Sequence, residues 1–290
     1  LPARIAKNLV TLKNVRGQMV HLLGTAHVSQ QSCNDARTVI STIEPSAVFL
    51  ELCKQREQIL DPSFDYNVAS KLTVRQTLEA YRSGNLNGFT LMYTLMTKYH
   101  NLEPGKEFIA AANEAAKFNI PIVLGDRSVG ITIKRIWQGL TFWQKAKLVK
   151  HFLSSHEDGI SIEEDDMNAL IDNRQAIMRE MDRLATVSPW LVECLLHERD
   201  KFMVLELEQT LDELKEGNIV AVVGAAHLMG MEKFWNERAS MEHNDEFNKI
   251  SDELHYQLQK YPGMPHETFT EADLRKYAAN FSVYKPMLFQ

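Results

Sequence analysis

The sequence has few cysteines, no strong excess of charge and no long apolar segment. Cys33, Cys53 and Cys194 are scattered over 290 residues, so we expect reduced thiols in an intracellular protein and no disulfide framework. A net charge of −6, from 32 basic and 38 acidic residues, argues against a nucleic-acid-binding surface, which needs a basic stripe. The longest charge-free apolar stretch, Asn218 to Met231, is shorter than the ~20 residues of a membrane-spanning helix.

Several catalytic signatures are also missing. The sequence contains no G-x-S-x-G elbow, no Walker phosphate loop and no Gly-rich dinucleotide turn. His197-Glu198 begins like a zinc-protease helix, but Lys201 occupies the position of the second histidine. The common serine-hydrolase, P-loop and dinucleotide-dependent classes are therefore not indicated.

What the sequence does contain is a series of short apolar runs separated by helical patterns. The runs are rich in Val, Ile and Leu and are continuous, as is typical of strands covered on both faces. We predict strands at 20–23, 47–50, 121–124 and 219–223 in one sheet. The expected fold is a three-layer α/β/α domain with a mixed, largely parallel central sheet. We place all of 1–290 in one domain, with a helical insertion at about 66–100 and 140–215 and a polar helical extension at 240–290.

One strand pattern occurs twice. VHLLGTAHVS at 20–29 and VAVVGAAHLM at 220–229 both contain Gly-x-x-His, with His27 and His227 in matching positions. A single histidine after a strand is more often an ordinary hydrogen-bonded residue than a ligand. The duplication favours two imidazoles that meet at one site.

The predicted strands end in groups that suit a metal. Functional groups collect beyond the carboxyl ends of strands in open α/β sheets, and these ends carry His27, Glu51, Asp126, Arg127 and His227. The 24 positions from His27 to Glu51 match one βαβ repeat, so neighbouring parallel strands are expected to bring the two together. Two imidazoles and a carboxylate leave open positions on a Zn, Mn, Co or Fe ion, which lowers the pKa of bound water.

Ordinary ion pairing is an alternative for these charges. Glu51 could pair with Arg56, although a carboxylate directly after the apolar run 48–50 is costly to bury. Asp126 and Arg127 could pair within a turn.

A second pair of charges lies near the apolar stripe of a predicted helix. The helix begins at Ser188-Pro189, and Glu198 and Arg199 fall on or beside its stripe. Such charges either extend from the stripe to solvent or line a polar cavity, and the pattern leaves both open. The stripe comprises Leu191, Leu195, Phe202 and Leu205.

Six motifs, in this order, resemble the TraB/PrgY family, and most closely its eukaryotic TraB domain-containing type. They are LLGTAHVS, VFLELCKQR, LGDRSVGITIKR, TFWQKAKL, HERDKFM and VVGAAHLMGMEKFW, and they run from about Val20 to Trp235. The family is similar to the Tiki proteases, the GumN-type proteins and the erythromycin esterase/ChaN-like group. The resemblance implies the same α/β/α fold with a helical insertion over the active edge.

The resemblance also implies a site and a substrate class. His27, Glu51 and His227 correspond to metal ligands, and Arg127 and Arg199 to the arginines of the GDR and ERD stretches. Mn or Co is the favoured ion and Zn an alternative. A peptide or protein is the implied substrate. Membrane attachment is implied through segments outside this chain, at the mitochondrial outer membrane or another organelle, with the domain facing the cytosol. Oligomeric state stays open.

We therefore predict a metal-dependent hydrolase, specifically a peptidase, with catalytic residues Glu51, Arg127, Arg199 and Glu198. Arg127 or Arg199 would stabilise the oxyanion, and Glu198 or Asp126 would position a ligand or shuttle a proton. The alternative is a non-catalytic peptide-binding or membrane-tethering module. A third hypothesis, haem or metal-ion handling, follows from the ChaN likeness.

Overall fold

The computed structural model of the chain describes residues 1–25, 30–60, 105–144, 185 and 188–240. Several predictions fall outside these residues: His27, the helical insertion at 66–100, the greater part of that at 140–215, and the extension beyond 240.

Five strands form one mixed sheet. They are β1 Leu9–Lys13, β2 Met19–Thr25, β3 Ala47–Leu50, β4 Ile122–Leu124 and β5 Ile219–Gly224. Their spatial order is β1-β2-β5-β3-β4. The pairs β2–β5, β5–β3 and β3–β4 are parallel, and β1 pairs antiparallel with β2. The predicted fold is confirmed, with all four predicted strands in one sheet, and the unpredicted β1 adds an antiparallel edge.

The strand order differs from the prediction in one respect. The strands leading to His27 and Glu51 were expected to be neighbours, but β5 lies between β2 and β3. All six residues of β5 are buried, and a wholly apolar strand belongs at the centre of a sheet because both its edges and both its faces are covered. Thr25 is opposite Gly224 and Leu50 is opposite Val222. The end of β5 therefore reaches both the end of β2 and the end of β3.

Helices cover both faces of the sheet. They are α1 Ala3–Lys7, α2 Gln30–Ile43, α3 Lys106–Lys117, α4 Val129–Gly139, α5 Pro189–Val192, α6 Glu198–Leu214 and α7 Leu228–Ser240. Two 3₁₀ turns, Lys54–Leu60 and Ala225–His227, and a π-helical turn, Glu193–His197, complete the described elements. In the described part of the chain, no helix has the length and apolar character needed to cross a membrane.

The core lies in two layers, one on each face of the sheet. Successive side chains of a strand point to opposite faces. Val220 and Val222 of β5 therefore pack with α2 and α3, and Ala221 and Val223 pack with α6 and α7. Since both faces are buried, β5 is continuously apolar and does not alternate with polar residues.

Gly125 connects β4 to the polar residues that follow it and lies directly against an aromatic ring. Its N–H donates to the carbonyl of Leu50 at 3.0 Å, which holds the chain close to the sheet. A Cβ atom at this position would lie 1.8 Å from Cζ of Phe49, a fully buried side chain. Only glycine fits between the strand end and this ring.

Gly125→Ala should therefore lower the free energy of unfolding by about 1–3 kcal/mol, because the added methyl overlaps a ring that has no space to move. Urea denaturation measures the loss. In a Phe49→Leu background the same substitution should cost much less, since the overlapping ring is gone. Equal costs in the two backgrounds would contradict the steric explanation.

Candidate functional site

The carboxyl ends of β3, β4 and β5 and the start of α6 meet in a group of charged side chains, most of them buried. We call this group the charged cluster. A buried charge is costly unless it is paired and hydrogen-bonded. The ion pairs and hydrogen bonds within the group therefore show which contacts stabilise the site. Its members are Glu51, Arg56, Asp126, Arg127, Arg135, Glu198, Arg199, Asp200 and His227.

Glu51 lies at the junction of β3 and β5. Its N–H donates to the carbonyl of Val222 at 3.1 Å, and its Oε2 accepts from the N–H of Gly224 at 2.7 Å. Its Oε1 forms an ion pair with Arg199 and lies 3.2 Å from Nε2 of His227. The carboxylate is therefore fixed by the backbone of the neighbouring strand and faces the imidazole.

His227 ends the 3₁₀ turn after β5, and its ring lies between two carboxylates. Nδ1 is 2.5 Å from Oδ1 of Asp200, on the side opposite Glu51. Burial alone would lower the pKa of His227, but the charge of Glu51 and the hydrogen bonds to Asp200 and Glu51 raise it to about 9. Burial raises the pKa of Asp200. Each ring nitrogen of His227 faces one carboxylate, so a proton or another cation is needed between each nitrogen and its carboxylate.

Asp126 follows β4 and binds two guanidinium groups. Nε and Nη2 of Arg199 donate to its two oxygens at 2.9 and 3.0 Å. Arg56 also pairs with Asp126 and donates to the carbonyl of Glu51 at 2.7 Å. Burial would lower the pKa of Arg199, but Asp126 and Glu51 raise it. Arg199 thus joins the carboxylates at the ends of β3 and β4.

Glu198 forms a separate group with two arginines. Nη1 of Arg127 donates to Oε2 of Glu198 at 2.5 Å, and Nε of Arg135 donates to its two oxygens at 2.9 and 2.8 Å. Burial alone would raise the pKa of Glu198, but Arg135 and Arg127 lower it. Arg135 also stacks on Trp190, 5.1 Å from the ring centroid. The guanidinium of Arg127 pairs with Glu198. The backbone N–H of Arg127 donates to Oδ1 of Asp126 at 2.8 Å.

The end of β2 approaches the same edge. Thr25 donates to the carbonyl of Val223 at 3.2 Å. A Cβ atom at Gly24 would lie 2.5 Å from Cδ1 of Leu228 and 3.1 Å from Cα of Ala225, so glycine allows β2 to approach the turn that carries His227. The first predicted ligand, two positions after Thr25, is outside the described residues.

Of the predicted residues, the structure brings both His227 and Arg199 into contact with Glu51 and pairs Arg127 with Glu198. Sequence reasoning did not select Asp200 or Arg135. Both stand in motifs that carry the family resemblance, Asp200 in HERDKFM and Arg135 in GITIKR. Asp200 directly follows the selected Arg199, and Arg135 lies eight positions after the selected Arg127 in the same motif. This proximity in sequence was the signal available.

Glu51 and His227 have the spacing of two ligands of one ion. Bonds of 2.0–2.1 Å place two ligand atoms about 2.8–3.0 Å apart in octahedral geometry and about 3.3–3.4 Å apart in tetrahedral geometry, and Oε1 and Nε2 are 3.2 Å apart. Among the residues that the structure describes, no group of three or more His, Cys, Asp or Glu forms a ligand set. Glu51 and His227 could therefore serve as two ligands, and His27, the predicted third, lies outside the described residues.

Glu198→Gln should lower the free energy of unfolding by about 3–5 kcal/mol, because it leaves Arg127 and Arg135 buried without their counter-charge. Urea denaturation near neutral pH measures the change. Glu208→Gln on the same helix is the matched control. It removes a more exposed pair with Arg238 and should cost about 1 kcal/mol or less. Similar losses in both variants would contradict a buried role for Glu198.

Comparison with known proteins identifies the family of the chain. A family model described as the TraB/PrgY/gumN family matches residues 8–242. The TraB domain-containing proteins of Homo sapiens and Mus musculus are 32% and 31% identical over 246 residues, which cover 76% of this chain and 63% of each relative. An uncharacterized protein of Methanocaldococcus jannaschii is 29% identical over 221 residues, 74% of this chain and 53% of that protein. The chain thus spans 53–63% of the length of these relatives. It belongs to the TraB/PrgY/gumN family.

Proposed function

We propose that the chain is a metal-dependent hydrolase that acts on peptide bonds, with a divalent ion held by Glu51, His227 and His27. The observation that supports this most directly is the 3.2 Å approach of the Glu51 Oε1 and His227 Nε2 atoms. Two acceptor atoms this close repel each other unless a proton or a metal ion lies between them. The parallel pairing of β2 with β5 up to Thr25 and Gly224 supports the participation of His27.

The side chains around this pair serve to hold it. Arg199 and the N–H of Gly224 hold the Glu51 carboxylate in a position that faces His227. A divalent ion, when bound, would polarise a water molecule and the substrate carbonyl. The guanidinium of Arg199 donates to Asp126, and that of Arg127 donates to Glu198. To stabilise an oxyanion, either arginine would need N–H groups that do not donate to these carboxylates. The oxyanion role of the two arginines stays a prediction.

The peptide substrate and the choice of Mn or Co over Zn depend on the resemblance to the Tiki proteases. The proposed location, at the mitochondrial outer membrane or another organelle membrane with the domain facing the cytosol, depends on family resemblance in the same way. It would require segments other than those the structure describes.

Metal content tests the ligand set. Protein loaded with Mn²⁺ and freed of excess ion should contain about one equivalent by elemental analysis, and His227→Ala should lose it because two remaining ligands bind a divalent ion weakly. His21→Ala is the matched control. His21 lies on β2 and pairs with Thr11, so its loss should leave the metal content unchanged. Equal content in wild type and His227→Ala would exclude the proposed site.

Peptide cleavage tests the reaction. Chelator-treated protein supplied with Mn²⁺, Co²⁺ or Zn²⁺ should cleave members of a synthetic peptide mixture, as detected by mass spectrometry. Activity should disappear with chelator and in Glu51→Gln, because the amide is a neutral and much weaker ligand. A Glu51→Gln protein as active as wild type would contradict the mechanism.

A non-catalytic binding module is the second candidate, and one observation favours it. The protein's own groups contact both oxygens of Glu51, namely Arg199, His227 and the Gly224 N–H. A network this complete could serve stability alone. In that case metal-free protein, His227→Ala and Glu51→Gln should all retain peptide binding, and no peptide should be cleaved with any of the three ions.

A further inference from the structure

Asp200 lies under His227 on the side away from Glu51. It is the third residue of α6 and is buried, and its Oδ1 is 2.5 Å from Nδ1 of His227. A carboxylate in this place accepts a hydrogen bond from Nδ1–H, which fixes the rotation of the ring and directs Nε2 toward Glu51. Such carboxylate–histidine contacts orient metal-binding imidazoles in other proteins.

Gly230 leaves space for the Asp200 carboxylate. A Cβ atom at Gly230, on α7, would lie 1.9 Å from Oδ2 of Asp200 and 2.7 Å from its Cγ. Glycine normally weakens a helix interior relative to alanine. Its presence here is explained by the approach of Asp200, since any larger residue would displace the carboxylate from beneath the ring.

The start of α6 supplies three consecutive charges, each of which has different partners. Glu198 contacts Arg127 and Arg135, Arg199 contacts Glu51 and Asp126, and Asp200 contacts His227. The π-helical turn Glu193–His197 immediately precedes them. π turns are rare and frequently occur at functional sites. Here the turn ends where the first of these three charges begins, so it sets the rotation at which they enter the cluster.

From these contacts we infer that Asp200 is a positioning residue for His227, holding the ring so that Nε2 is presented to a divalent cation shared with Glu51. This inference rests on the proposed function. Asp200 acts through His227 and is not itself assigned contact with substrate or metal. Gly230 provides the space that this role requires.

Titration of chelator-treated protein with Co²⁺, followed by its visible spectrum and by isothermal calorimetry, tests the inference. Asp200→Asn should weaken Co²⁺ binding 10- to 100-fold, because an amide can donate to Nδ1 and place the proton on Nε2. The matched control is Asp212→Asn on the same helix. Asp212 pairs with Arg16 at the surface, and its substitution should leave Co²⁺ binding unchanged.

Gly230→Ala is a second variant that changes no ionisable group. It should also weaken Co²⁺ binding, because it displaces the Asp200 carboxylate. If circular dichroism shows that Asp200→Asn does not fold, Gly230→Ala alone tests the positioning role. Equal Co²⁺ affinity in wild type, Asp200→Asn and Gly230→Ala would overturn the positioning role and leave the proposed function standing. No saturable Co²⁺ binding by wild type would overturn both.

Discussion

The structure of the site depends on the burial of one carboxylate, that of Glu51, at the junction of two strands. A carboxylate in this position costs several kcal/mol unless cations and N–H groups surround it. Gly224 provides the N–H, and Arg199 and the ring of His227 provide the charge. Each of these partners needs a partner of its own, so Asp126 accompanies Arg199 and Asp200 accompanies His227. The other charges of the charged cluster thus follow from the need to neutralise the buried Glu51 carboxylate.

The central position of β5 makes this arrangement possible. β5 carries Gly224 and leads directly into the turn that ends at His227, while its neighbours on either side lead to Thr25 and Glu51. A backbone donor and an imidazole from the same strand therefore reach the Glu51 carboxylate together. Had β2 lain between β5 and β3, the Gly224 N–H would have been one strand, about 4.8 Å, farther from Glu51.

Charge neutralisation divides the cluster into two parts with different consequences. Around Glu198, both arginines donate directly to the carboxylate, and this part is saturated by the protein's own groups. Around Glu51 and His227, the carboxylate oxygen Oε1 and the ring nitrogen Nε2 face each other at 3.2 Å, a spacing that either a proton on Nε2 or a metal ion bridges. Of the two parts, the second is the one to which the proposed cation belongs. The functional proposal therefore concerns the Glu51–His227 part, and Arg127 and Glu198 stabilise the helix start beside it.

Much of the fold could be read from local patterns. Continuous apolar runs at 47–50 and 219–223 predict buried strands because a strand covered on both faces has no polar positions, and the repeated Gly-x-x-His motif predicts where two of them end. The position of Glu51 directly after β3 also indicated a buried charge in use, and the structure places it against His227. These features follow from residues close in sequence.

The sequence by itself determined four of the five strands, their parallel direction and the residue types at their ends. Tertiary structure alone decided the insertion of β5 between β2 and β3, the π turn before Glu198, and the choice of partner for each charge: Asp200 for His227, Glu198 for Arg127. The physical reason is that a buried charge pairs with whichever opposite charge the packing brings within about 3 Å, and that distance depends on how α6 and α7 sit on the sheet. The spacing of residues along the chain does not encode that distance.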